Sequence, residues 1–63
     1  MDSDEITDLE KLHCAQRELM MRKRVYPRWV GAGRMTAAAA QHETAAMQAI
    51  VNDYENKVRP KLV

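Results

Sequence analysis

"RVYPRWVGAGRMT", residues 24–36, decides how this 63-residue chain folds. It holds a proline, both glycines, the only tryptophan, one of the two tyrosines and Arg24, Arg28 and Arg34. Proline directs the residue before it away from the α region, so Tyr26 predicts the end of any helix arriving from upstream. Pro27 has no N–H to lose at a first helical position, so "PRWV" predicts a fresh turn of helix. Gly31 and Gly33 then let the backbone reverse. The stretch reads as a structured elbow over 26–35.

Upstream, residues 4–25 read as one amphipathic helix. Ser3 or Asp2 can cap it, and Asp4, Glu5 and Asp8 suit the positive end of its dipole. Ile6, Leu9, Leu12, Leu19 and Met20 recur at three-, four- and seven-residue intervals and predict one apolar stripe. Lys23 and Arg24 suit the negative pole. Downstream, Thr36 predicts the cap of a second helix over 37–58, with no breaker before Pro60. Alanine has the highest helix propensity, so "AAAA" favours helix before any packing is counted. Ala40, Met47, Ile50, Val51, Tyr54 and Val58 lie along one face, bordered by Ala39, Ala46 and Ala49. No period-two alternation occurs. The fold expected is all-α: residues 1–63 form a single antiparallel helical hairpin.

A chain of this length hides only about 60% of its unfolded surface, and such a core rarely supplies more than roughly 3–5 kcal/mol. Pairing of hairpins into a helical-bundle homo-oligomer is the expected remedy. A lone cysteine, Cys14, excludes an internal disulfide framework and points to a reducing compartment. No apolar run approaches the ~18 residues of a membrane span, and the acidic start is unlike a signal peptide, so no membrane partner is expected.

Catalytic and metal signatures do not assemble. "HETAA" begins like a zinc-protease helix, but Ala46 stands where the second histidine belongs. His13 and Cys14 are neighbours, and adjacent helical positions point about 100° apart. Cys14 reads as a small residue beside the core. "GAG" lacks the strand-then-helix context of a phosphate loop. No catalytic residue, metal or cofactor is expected, and the chain reads as a non-enzyme.

Binding remains. The net charge of +1 conceals a division. Residues 1–10 carry only acids, whereas 17–34 carry six basic residues against Glu18 alone. Arginine forks match phosphate and carboxylate, and aromatic faces stack on flat rings or guanidinium. Arg24, Tyr26, Arg28, Trp29 and Arg34 are therefore the candidate ligand-binding residues, suited to a nucleotide, a nucleic-acid strand or an acidic protein surface. Trp29 fits equally as a plug for the end of the hairpin. Met20, Met21, Met35 and Met47 read as core or interface filler.

"RELMMRKRVYPRWVGAGRMT…HETAAMQAIVNDY", from about Arg17 to Tyr54, resembles a family of short tailed-phage and prophage proteins sharing a VYPRWVxxGRMT motif. The resemblance implies a phage accessory protein working in the host bacterial cytoplasm. It is consistent with two modes of stoichiometric binding. The mode that the arginine–aromatic mix favours is sequestration of a nucleotide-type immune signal, as by an anti-defence sponge. The alternative is inhibition of a host protein, either a defence factor or one that processes nucleic acid. Sequence-specific DNA binding is disfavoured, because the basic residues gather near a bend and the net charge is close to zero.

Overall fold

In the computed structural model, which describes residues 5–59, two helices pack against one another as a hairpin: α1, Asp8–Gly31, and α2, Ala37–Val58. The all-α expectation holds, and α2 has the bounds that the sequence predicts. Thr36 caps it, its hydroxyl accepting the Ala39 N–H at 3.0 Å.

Both ends of α1 differ from expectation. Asp2, Ser3 and Asp4 lie outside the described residues. The helix starts at Asp8, capped by Thr7. The Thr7 hydroxyl accepts the Glu10 N–H at 3.1 Å, and the Glu10 carboxylate accepts the Thr7 N–H at 3.3 Å. This reciprocal pair is a capping box, and "TDLE" spells it.

The expected stop at Tyr26 is overturned, because α1 runs through Pro27 and ends at Gly31. Proline inside a helix removes one hydrogen bond and crowds the carbonyl four residues back, at a cost of about 3 kcal/mol. Here only one further turn follows it, and that turn is tied on both sides. Ahead of Pro27, Tyr26 stacks on Trp29 with ring centroids 5.5 Å apart. Behind it, the Ala32 N–H donates to Arg28 C=O at 3.0 Å, Gly33 to Val30 at 3.1 Å and Arg34 to Trp29 at 2.8 Å. The last two bonds form a Schellman motif, which satisfies carbonyls that a helix end otherwise strands. The basic residue at the negative pole is accordingly Arg28 rather than Lys23 or Arg24. The expected elbow shrinks to residues 32–36.

Of the two glycines, only Gly33 is required for its backbone, at φ +74°. Replacing it with alanine puts a Cβ into the left-handed region, and Gly33→Ala is expected to cost about 1–2 kcal/mol. Gly31 has a negative φ, and the space that an alanine methyl would occupy there is open. Gly31→Ala should therefore raise stability by about 0.5–1 kcal/mol. Thermal unfolding of the two variants side by side checks the assignment.

The core is thin. Leu12, Ala15 and Leu19 from α1 meet Met47 and Val51 from α2, with Tyr54 and Val58 packed against them. Steps of three and four along both helices make this a short antiparallel coiled-coil seam. The half-buried Arg22 and Tyr26 continue the same alternation toward the turn. Ala15 joins the core unannounced, while four residues expected on the stripes lie off them. Ile6, Leu9, Met20 and Ile50 are 45%, 47%, 71% and 43% exposed. Ile6 precedes the helix, and the other three fall on its flanks once the phase is fixed by Leu12, Leu19, Met47 and Val51. Cys14, expected beside the core, is exposed. No helix among the described residues is long and apolar enough to cross a membrane.

Candidate functional site

The unbroken run of α1 through Pro27 sets where each candidate residue points. Positions three and four apart share a helix face. Arg24 and Arg28 therefore stand together on the outer side of α1, in line with Arg17 seven residues before Arg24. Tyr26 and Trp29 share a different side, turned toward α2 and its edge.

The aromatic side is partly engaged in holding the hairpin. Tyr26 is half-buried and stacked on Trp29 at an interplanar angle of 29°. The Arg22 guanidinium sits over the Tyr26 ring, 5.9 Å from its centroid. Arg22 also donates from Nε to Glu18 Oε2 at 2.8 Å and from Nη1 to the Glu43 backbone oxygen at 2.8 Å. Its Nη1 lies 3.9 Å from Glu43 Oε1. One side chain thus ties α1 to α2 and steadies the ring beneath it. The Glu18 hydrogen bond holds the Arg22 guanidinium above its already high ordinary value, with the partial burial opposing. That bond contributes stability below the unfolded value and loses it only as pH rises through the folded one. Both lie at the far alkaline end, so this contact gives no pH dependence near neutrality.

Trp29 differs from Tyr26 in being 39% exposed, so a large part of the indole stays open to a partner. The Schellman bond from Arg34 N–H to Trp29 C=O holds the Arg34 backbone at the end of α1. The backbones of these two residues are joined by the helix cap, five positions apart in sequence.

The basic side is open. Arg17, Lys23, Arg24, Arg28 and Arg34 are all exposed. None of the five has an acidic partner among the described residues, where the ion pairs belong to Arg22. The structure therefore divides the five candidates into an outer pair, Arg24 and Arg28, and an end cluster of Trp29 and Arg34 with Tyr26 behind the ring. Sequence reasoning missed Arg22 as the residue that organises the aromatic pair. Its signal was the four-residue spacing from Glu18, the arrangement of a helical ion pair.

Neither a protein-family model, nor a curated protein, nor a solved structure matches this chain. The site therefore rests on its own chemistry. It offers permanent positive charge, one available indole face and no group of three His, Cys, Asp or Glu side chains, among the described residues, that could hold a metal ion. Such a surface can hold an anion and stack on a flat or apolar group.

Proposed function

We propose that this chain is a phage-type accessory protein that acts by stoichiometric binding in a bacterial host, docking the turn end of its hairpin on an acidic patch of a host protein. The observation that carries this reading is the row of exposed, acid-free arginines on α1 with the half-open Trp29 beside its end. Arginine and tryptophan are the residue types that dominate binding energy at protein interfaces. An α-helix presents them as an extended ridge, which suits a surface partner. The proposed consequence is blockade of whatever that patch does for the host.

A second reading, sequestration of a nucleotide-type immune signal, is supported by a separate observation: the cap ties the Arg34 backbone to that of Trp29, so an arginine and a partly open indole leave the chain at the same end of the hairpin. Arg24 and Arg28 point elsewhere, so a small ligand gripped by all five candidates needs residues from a second hairpin. The protein-surface reading makes no such demand, and it is preferred.

Native mass spectrometry of the chain recovered from bacterial lysate separates the two. The expected result is one host polypeptide in fixed ratio, released as salt rises. Retention of a nucleotide-sized mass with no polypeptide overturns the preferred reading in favour of sequestration.

A further inference from the structure

Besides the seam that meets α2, α1 carries a second stripe with the same alternation. Leu9, His13, Gln16, Met20 and Lys23 follow one another in steps of three and four, and Ile6 lies just ahead of the helix. Its apolar members, Leu9 at 47% and Met20 at 71% exposure, are among those the hairpin leaves uncovered, as is the adjoining Ile6 at 45%. Ile6 sits just before the Thr7 cap, where an apolar residue usually staples to the fourth helical position. That position is Lys11, so Ile6 has no apolar staple partner there and remains exposed.

We propose that this stripe is the interface for a second copy of the same chain, laid antiparallel along α1. The residue types decide the orientation. Pairing about a two-fold axis between Cys14 and Ala15 sets Leu9 against Met20 of the second copy, and His13 against Gln16. Each of these four positions meets a different one, and each large apolar group gains an apolar neighbour. Polar groups lie at the centre, where an imidazole and an amide can hydrogen-bond and fix the register, as a lone polar layer does in coiled coils.

Charge supports the same orientation. Glu10 and Arg17 flank the stripe on one edge, two turns apart, and both are exposed. Glu10 uses Oε1 in the capping box, which leaves Oε2 to accept. Antiparallel pairing brings Glu10 to Arg17 of the second copy twice. In a parallel pair the same edge faces the opposite flank of the second copy, so Glu10 and Arg17 do not meet. The core gives the reason for association, since five buried side chains among the described residues are few for a hairpin of two long helices. Arg28, Trp29 and Arg34 lie beyond the end of the paired layers. Loss of the interface therefore leaves Arg28, Trp29 and Arg34 in place, and only Arg17 of the arginine row is shared with it.

Disulfide trapping tests orientation and register together, in a Cys14→Ser background. Leu9 and Met20 of one helix are eleven residues apart, about 16 Å along the axis, too far to bridge within a chain. Leu9→Cys combined with Met20→Cys is expected to give a covalent dimer under mild oxidation, and either substitution alone should give none. Without trapping, the parent chain should run at twice its chain mass in light scattering, and Met20→Glu at one chain mass with its helical circular dichroism kept. A monomeric parent chain overturns the proposal. So does a single-cysteine variant that links as readily as the double one.

Discussion

Leu19→Ala is expected to leave the chain largely unfolded at room temperature. Leu19 is 7% exposed and lies in the seam where Leu12 and Ala15 of α1 meet Met47 and Val51 of α2. Truncating a buried leucine to alanine typically costs about 2–5 kcal/mol, the spread reflecting how far the site collapses around the cavity. In a large domain that loss is survivable. Here the whole core supplies roughly the same amount, so the loss and the reserve are of equal size. Far-UV circular dichroism against temperature reads the outcome directly. Leu19→Met conserves volume and should stay folded, at a cost under about 1.5 kcal/mol. Gln41→Ala, on an exposed position of α2, should change little. If Leu19→Ala melts like the parent chain, the seam is not what holds the helices together.

Arg24→Glu combined with Arg28→Glu is expected to abolish capture of the host partner while leaving the hairpin folded. Both side chains are exposed and touch no acid among the described residues, so the fold depends little on them. Glu at position 28 meets the negative end of the helix dipole, a cost of about 0.3–1 kcal/mol, small enough to verify by circular dichroism. Binding should suffer far more. An arginine at the centre of an interface contributes about 2 kcal/mol or more on truncation, and reversal replaces attraction with repulsion. A loss of at least ~100-fold in affinity is anticipated for the double variant. Arg24→Gln with Arg28→Gln should fall between it and the parent, and the parent's own affinity should decline with salt. Unchanged capture by the double glutamate variant would assign the partner surface to Trp29 and Arg34 alone.

The two helices were unequally legible. α2 could be bounded by eye because its signals are local and agree: a threonine cap, an alanine run and no breaker until Pro60. The end of α1 could not. The rule for a residue before proline describes a bias on Tyr26 alone, whereas the helix is held by contacts that span the proline. Those are Arg22 on Tyr26, Tyr26 on Trp29, and the Schellman bonds that return from Gly33 and Arg34. None of these is visible as a pattern in the sequence until the helix is granted. The start of α1 was legible and lay in "TDLE", a capping box that competes with the more acidic residues before it.

The same point governs the candidate site. The five candidate residues could be picked out from composition, since arginine and aromatic residues cluster between 24 and 34. Which of them act together depends on helical phase. An elbow at 26–35 would have gathered them; a helix through Pro27 sends Arg24 and Arg28 to one side and the rings to another. Ile50 and Met20 were misplaced for a related reason: with a periodicity of 3.6, a residue one position off the seam still scores as part of a broad apolar stripe.

Continuity of α1 through Pro27 is the claim on which the rest depends, and backbone NMR addresses it most directly. Helical Cα shifts from Val25 to Val30, amide–amide contacts along Arg28–Gly31, and an α-proton contact from Arg24 across the proline to Arg28 are the predicted result. Extended shifts at Val25 and Tyr26, with helical contacts resuming only after Pro27, would contradict it. They would restore a bent elbow and with it a single site that draws Arg24, Tyr26, Arg28, Trp29 and Arg34 together.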